Sequence, residues 1–443
     1  MPKILRIINR LNLGGPTFNV ALLSKHLSPS FETRIVAGMK GESEASSEFI
    51  LNKMGLKPQY IPNMYRSVHP RKDYAAYQDI KKIIQEYKPD IVHTHAAKSG
   101  ALGRLAAKEC GVPVIVHTFH GHVFHSYFGA LKTRFYLEVE RYLAKHSSKI
   151  VAISPKQKKE LSEDYRVCNP NHIEVVPLGF DLSKFQDNQI DKRIDFRQKY
   201  QIADDEVAIA IVGRLVPIKN HSLFLNALKQ LLNNSSQKIR AFIVGGGEER
   251  ANMENLATEL NIPFATPENF HKAPLTFTSW ITDVDEVYAG VDVVALSSLN
   301  EGTPVSLIEA QAANKPIVTT NVGGVKDVVI PNRTALLSPS KCVESFAHNL
   351  QELVENTTLR NQMGQDGYQY VAQKYSYQRL TGDMAQLYDK LLYKHASTYK
   401  KMYSVPSSPI PSAISITTNS VRNAPLALET ATVSTKRSND FMR

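Results

Sequence analysis

Short β-branched runs separated by longer amphipathic stretches recur along this chain, and the whole pattern occurs twice. In the first half, KILRII (3–8), ETRIVAG (32–38), DIVHTH (90–95), PVIVHT (113–118) and KIVAIS (149–154) read as strands, with helical periodicity at about 17–27, 73–87, 98–110 and 131–146. In the second half the strands are VAIAIVG (207–213), IRAFIVG (239–245), LTFTSW (275–280), VDVVALS (291–297) and KPIVTT (315–320), with helices near 220–232, 250–260 and 304–313. Strands apolar along their whole length are covered on both faces, and a strand–helix–strand repeat brings them side by side in parallel. The fold class is therefore α/β, with two Rossmann-like doubly wound domains, 1–180 and 181–375, facing a central cleft. The alternation lapses at about 178–200, which reads as the connector. Residues 341–395 look helical throughout, whereas 396–443, rich in Ser, Thr, Pro and Asn, read as a disordered tail. In such sheets ligands bind beyond the carboxyl ends of the strands, so function is sought in the loops that follow them.

At 443 residues the chain is too long for one ordinary core, and no apolar run approaches the roughly 20 residues of a spanning helix. The opening MPKILRIINRLNLGG is interrupted by Arg6, Asn9 and Arg10 and reads as a first strand, not an export signal. Cys110, Cys168 and Cys342 lie far apart without a CxxC, which fits a reducing cytoplasm and indicates neither a disulfide framework nor a cysteine metal site. The net charge of +11 is concentrated early: residues 1–180 carry 26 Lys and Arg against 15 Asp and Glu. Such a surface suits anionic lipid, phosphorylated substrates or plain solvation, and no nucleic-acid recognition motif accompanies it.

The segment LNEGTPVSLIEA (299–310) follows a buried-strand signal and opens a helix. Thr303 and Pro304 read as its N-cap and first turn, so the helix start faces the cleft and offers free N–H groups to an anion, most simply phosphate. Glu301 stands just ahead of that start, and Glu309 lies one and a half turns inside on the face of Val305. A carboxylate beside a phosphate repels it, so both glutamates suit hydroxyl groups on either side. Phosphate flanked by hydroxyls describes a nucleotide sugar. The competing reading is a solvated Glu301 and a Glu309 that merely complements the helix dipole.

Four further loops bear on the choice. IVGRLVPIKN brings Arg214 and Lys219 onto a strand-end loop, where two cations can neutralise a departing diphosphate; an ordinary basic loop is the alternative. FIVGGGEER allows close backbone approach around Gly246, but Arg250 breaks the GxGxxG fingerprint. LNLGGPTFNV places Gly14 and Gly15 after the first strand, as a ligand loop or a tight turn. VHTFHGHVFHSYFG holds His117, His120, His122 and His125 without HExxH or a carboxylate ligand, so metal binding is disfavoured. Most of these histidines read as structural, with one strand-end histidine left to meet a sugar hydroxyl or handle a proton.

Taken in order, LNLGGPT, HTFHGH, VGRLVPIKN, VGGGEE and SLNEGTPVSLIEAQAANKPIVTTNVGGVKDVV resemble glycosyltransferase family four, retaining enzymes of the GT-B fold, over about residues 1–390. The resemblance implies transfer of a sugar from a nucleoside diphosphate sugar, with uridine preferred as the base on family frequency, and with no metal and no cofactor. It assigns the diphosphate to Arg214 and Lys219, the donor hexose to Glu301, and backbone contacts to Gly302, Thr303, Pro304 and Val305. It assigns the ribose to Glu309, the base to the segment of Trp280 and Ile281, the donor sugar also to His120, and the phosphate and acceptor side to Gly14 and Gly15. Gly246 belongs to the donor set by the same likeness. The helix 376–395 is expected to cross back onto the N-terminal domain, which holds a glycan or lipid-linked acceptor at an anionic membrane surface, on the inner face of the cell membrane. The chain departs from the pattern where Lys326 and Asp327 replace Pro-Glu after the Gly-Gly pair. Other GT-B activities, a sugar-nucleotide epimerase or a phosphorylase, and a non-catalytic nucleotide-sugar binding module are the alternatives.

Overall fold

The computed structural model describes residues 1–11, 15–41, 46–121 and 130–403. The first sheet contains β1 (Lys3–Ile8), β2 (Glu32–Gly38), β3 (Gln59–Ile61), β4 (Ile91–His95), β5 (Val114–Phe119), β6 (Lys149–Ala152) and β7 (Ile173–Val175), in the order β3-β2-β1-β4-β5-β6-β7. The second contains β8 (Glu206–Val212), β9 (Lys238–Val244), β10 (Phe264–Ala265), β11 (Leu275–Thr278), β12 (Val293–Leu296), β13 (Ile317–Thr320) and β14 (Ala335–Ser338), in the order β10-β11-β9-β8-β12-β13-β14. Every pairing in both sheets is parallel. The winding reverses between β1 and β4 and again between β8 and β12, and at such reversals the loops part to leave a crevice. These two doubly wound, Rossmann-like units are the two domains that the alternation implies.

Strand β1 shows how the sequence builds both layers. Leu5 and Ile7 pack on one face with Ile80, Ile83, Ile84 and Tyr87 of the helix Pro70–Tyr87. Ile4 faces the other side, into a cluster with Leu23, Leu27, Phe31, Leu380, Met384, Leu387 and Tyr388. The alternation is that of a pleated strand, and each fully buried large apolar side chain adds about 1.5–3 kcal/mol.

The last four of those residues lie on the helix Tyr377–Tyr403, so the chain returns to the first sheet after completing the second. Where it crosses, Phe180 and Ser376 form a β-bridge, and Arg379 donates to the carbonyls of Pro177 and Leu178 at 2.7 Å each. A Cβ on Gly179 would stand 2.6 Å from Leu380 Cβ, so a side chain there would part the two crossing strands.

Three expectations are corrected. The stretch 178–200 is not all connector: the helix Gln189–Lys199 packs Phe196 against Gly290, where an added Cβ would lie 2.1 Å from the ring. The segment 341–395 is three helices, Val343–Glu355, Thr357–Tyr375 and Tyr377–Tyr403, interrupted by the extended residues Asn356 and Ser376. Helix therefore continues past 396, where disorder was expected, while residues 404–443 lie outside those described. Among the described residues no helix is long and apolar enough to cross a membrane.

Candidate active site

The crevice of the second sheet is floored by two loops tied together. After β8, residues 213–220 carry Arg214 and include a short 3-10 turn, Pro217–Lys219. After β12, Ser297 and Ser298 lead to Glu301. Lys219 Nζ lies 2.5 Å from Glu301 Oε1, and the Ser298 hydroxyl donates to the same oxygen at 2.6 Å. The Ser297 hydroxyl donates to the Lys219 carbonyl at 2.9 Å. A carboxylate held by an ammonium and a hydroxyl on one oxygen keeps its other oxygen for a ligand.

The glycines beside these loops have distinct tasks. A Cβ on Gly245 would lie 2.0 Å from the Gly213 carbonyl oxygen, and one on Gly247 would lie 2.2 Å from that of Leu215. Gly246, between them, faces open space and accepts the Leu215 N–H at 2.9 Å. The loop after β9 thus braces the loop that carries Arg214. Arg214 is exposed, and among the described residues its side chain makes no hydrogen bond or ion pair.

The helix Val305–Ala312 starts one residue later than expected. Pro304, at φ −72° and ψ 97°, occupies the N-cap, and no side chain caps the helix, so Thr303 does not perform that role. A residue that precedes proline is driven out of the helical region, which leaves Thr303 in the loop and the first N–H groups without a side-chain partner. Behind the loop, Gly324 N–H donates to the Glu301 carbonyl at 2.9 Å. A Cβ on Gly323 or Gly324 would stand 1.9 Å from the Glu301 carbonyl oxygen or 1.8 Å from that of Gly302. The Gly-Gly pair is therefore required by backbone contact. Within the helix, Glu309 accepts from the Tyr288 hydroxyl at 3.3 Å, and burial pushes its carboxyl up to about 7 against the pull of Lys184.

The first-sheet wall is built differently. His120 follows β5, and its Nε2 lies 2.9 Å from His95 Nδ1 at the end of β4, with the rings stacked 5.2 Å apart. Behind them His93, His95, Arg6 and Tyr388 are fully buried. Burial lowers His120 to about 4 and holds His93 and His95 far below the usual imidazole range, with Arg6 adding to the effect on both. His117 lies apart from this group, fully buried and paired with Thr94 Oγ1 at 2.8 Å. Ala96, between β4 and the helix Ala97–Glu109, has φ 71° and ψ 162°, a conformation rare for an L-residue and typical of functional turns.

A cleft of about 930 Å³ lies between the two walls. Gly15, His120, Glu301, Gly302, Thr303 and Val305 meet on its lining, together with Lys156, Gln157 and Asp327. Lys219 reaches it through Glu301, whereas Arg214, Gly246, Pro304 and Glu309 do not belong to its lining. Trp280 is 64% exposed and Ile281 packs against the second-sheet core, both away from the lining. Gly14, His122 and His125 lie outside the described residues. Sequence reasoning missed Arg6, His93, His95 and Tyr388; the signal was two histidines at alternate positions of the strand IVHTH.

Comparison with known proteins gives two family matches: Glycosyltransferase Family 4 over residues 13–184 and Glycosyl transferases group 1 over residues 192–370. The UDP-Gal:alpha-D-GlcNAc-diphosphoundecaprenol alpha-1,3-galactosyltransferase of Escherichia coli is 30% identical over 301 residues, covering 68% of this chain and 75% of the relative. The capsular polysaccharide biosynthesis glycosyltransferase CapM of Staphylococcus aureus is 24% identical over 343 residues, covering 75% and 87%. Among solved structures, Anabaena HepE in complex with UDP superposes with a TM-score of 0.72 at 18% identity, over 88% of this chain and 100% of that one. WaaG, a glycosyltransferase involved in lipopolysaccharide biosynthesis, gives 0.61 at 18% identity over 86% and 99%. These two likenesses are of fold.

Proposed function

The chain belongs to glycosyltransferase family 4 and is a glycosyltransferase of glycan biosynthesis, and from that premise we propose that it transfers a hexose from a UDP-sugar, with retention and without a metal, to a lipid-linked or polysaccharide acceptor. The observation that carries the reading is the Lys219–Glu301–Ser298 junction beside an uncapped helix start, on a cleft that it shares with His120. In this reading the diphosphate sits at the start of the helix Val305–Ala312, where free N–H groups and the dipole favour it. Lys219 and the unpaired Arg214 neutralise its growing charge in place of a metal ion. Glu301 accepts from hexose hydroxyls, Glu309 from the ribose, and His120 meets the sugar from the opposite wall.

The acceptor oxygen attacks the anomeric carbon on the face that the diphosphate leaves. One C–O bond forms, the C–O bond to phosphate breaks, and the acceptor proton passes to a phosphate oxygen of the leaving group. No enzyme nucleophile is used. Lys156 and Gln157, which line the cleft, face the acceptor in this reading.

Galactose is the first sugar to test, because the E. coli relative is named for UDP-Gal and a diphosphoundecaprenol acceptor. The purified chain is incubated with UDP-galactose, UDP-glucose or UDP-N-acetylglucosamine and a GlcNAc-diphospholipid, with EDTA present. The expected product carries an α-linkage by NMR and forms despite the chelator, and the matching donor raises Tm by mass action. An inverted linkage or a strict metal requirement would overturn the mechanism, and epimerised donor without transfer would favour the epimerase reading.

A peripheral site on an anionic membrane follows from the basic first half. On the helix Ala130–Lys145, Phe135 and Tyr142 are 65% and 49% exposed two turns apart on one face, with Arg134 and Lys145 also exposed. Sedimentation with phosphatidylglycerol vesicles should fall steeply as salt rises; binding that is weak and indifferent to salt would remove this part of the reading.

A further inference from the structure

Arg6 occupies the middle of β1 and is fully buried, yet among the described residues no carboxylate pairs with it. Its Nη1 lies 2.9 Å from His93 Nδ1, 3.5 Å from His95 Nε2 and 3.3 Å from the Tyr388 hydroxyl. A buried guanidinium among neutral rings is costly, and an apolar residue of similar volume would serve packing at least as well. Its position asks for another purpose.

A guanidinium has donors and no acceptor, whereas a neutral imidazole has one nitrogen of each kind. Nη1 has two hydrogens for three neighbours, and His95 Nε2, the longest contact at 3.5 Å, shares them; an N–H on that nitrogen would point at the N–H of the guanidinium, which favours Nε2 as an acceptor. The proton of His95 must then sit on Nδ1, which donates to His120 Nε2 at 2.9 Å. His120 in turn must carry its own proton on Nδ1. That atom is buried and has no partner among the described residues, although the His120 ring lines the cleft.

We propose that Arg6, acting through His95, fixes His120 in the tautomer that leaves an Nδ1–H without a protein partner just behind the cleft wall, where a small turn of the ring brings it to the donor, so that Arg6 and His95 are positioning residues of the transfer site. This rests on the proposed function for what the N–H meets, a hydroxyl or phosphate oxygen, but not for the tautomer itself. A second branch holds Arg6 in place: His93 Nδ1 lies 2.6 Å from the Tyr388 hydroxyl, and His93 Nε2 lies 2.7 Å from Thr118 Oγ1. Tyr388 comes from the helix that returns to the first sheet, so docking of that helix completes the relay. Burial keeps the rings neutral, which matters because an imidazolium would donate from both nitrogens and break the sequence of roles. A neutral donor also avoids placing a full positive charge beside an anomeric carbon that is itself becoming positive.

The test reads ring nitrogens directly. In the 15N-histidine-labelled full chain at about pH 7, long-range 1H–15N correlation should give His120 a protonated Nδ1 and an unprotonated Nε2, assigned by their loss in His120→Asn. His95→Asn keeps an N–H near the Nδ1 position and should preserve this pattern. His95→Asp replaces it with an acceptor and should move the His120 proton to Nε2, with kcat falling on the order of 10²-fold and KM for the donor changing less. Arg6→Met should leave the His120 nitrogens averaged between tautomers, and Arg6→Lys should restore them. An Nε2–H tautomer in the unsubstituted protein, or an unchanged pattern in His95→Asp, overturns the proposal. If Arg6→Met does not fold, the two His95 variants decide alone. A locked Nδ1–H in a protein that transfers nothing would sink the proposed function and leave the lock standing.

Discussion

At the crevice of the first sheet, between β1 and β4, the floor is made of fully buried His93, His95 and Arg6, with His120 at the surface. At the corresponding crevice of the second sheet, between β8 and β12, it is made of an ion pair, Lys219–Glu301, beside an exposed Arg214. The winding is alike on both sides, apart from β11 inserted between β9 and β10 and from β7, which adds a fourth strand beyond the reversal in the first sheet only. The difference teaches that the fold supplies the crevice and the buried chemistry supplies its use. Neutral rings in a dry wall give fixed hydrogen-bond directions, while charges in an open wall give strength that a charged ligand can redirect.

The comparison breaks most sharply if charge in the second lobe is dispensable. Lys219→Ala removes the cation proposed for the diphosphate and leaves Glu301 with one partner fewer, and kcat is expected to fall on the order of 10²–10³-fold. Steady-state kinetics with saturating donor measures this. A loss confined to KM would show that Lys219 contributes binding in the ground state and not in the transition state.

In the first lobe the corresponding lever is packing. A Cβ on Gly100 would stand 2.5 Å from Cε1 of the fully buried His117 ring, which cannot move aside. Gly100→Ala is expected to destabilise the folded chain by about 1–3 kcal/mol, as overpacking does, less any gain in helix propensity. Urea unfolding checks it, and an unchanged midpoint would show that this wall yields more than its burial implies.

How much of this was legible follows the same division. The alternation announced both sheets because the central strands are apolar and recur between helices, and the Glu301 and Lys219 loops stood out because charged residues at strand ends have few structural reasons to be there. The edge strands β3, β7 and β10, of three, three and two residues, carry no measurable period. Pro304 was placed one position too deep because its ring suits either N-cap or first turn, and only the backbone angles separate the two. Local pattern offered only the two histidines of β4 and could not assemble the relay from Arg6 to His120. Its members come from β1, β4, the end of β5 and a helix more than 380 residues away, where Tyr388 meets Arg6.

Glu309 gives a subtler contrast with the neutral rings, since its carboxyl titrates near working pH. Its folded value of about 7 lies above the unfolded one, so the folded state holds the extra proton. Stability from this group is fully present below the unfolded carboxylate range of about 4.3 and is lost as pH rises through 7. Donor binding should run the other way, because in the proposed site ribose hydroxyls donate to the ionised form. UDP affinity by calorimetry is expected to tighten about tenfold from pH 6 to 8, and Glu309→Gln should flatten both trends. Equal slopes in the two proteins would mean that the ribose does not meet this carboxylate.

The smallest effect belongs to Trp280, the single tryptophan of the chain, which stands 64% exposed beyond β11. If the base docks against the backbone of Trp280 and Ile281, the indole needs only to lie nearby, so Trp280→Phe should weaken UDP binding by less than about tenfold, under about 1.4 kcal/mol. The same residue supplies the measurement, because no other indole contributes to the emission. Titration with UDP should quench or shift the Trp280 fluorescence along the calorimetric binding curve. A saturating UDP complex with unaltered emission would place the base elsewhere on the second lobe, and would confine the recognition sites of this wall to the charged junction at Glu301 and the helix beside it.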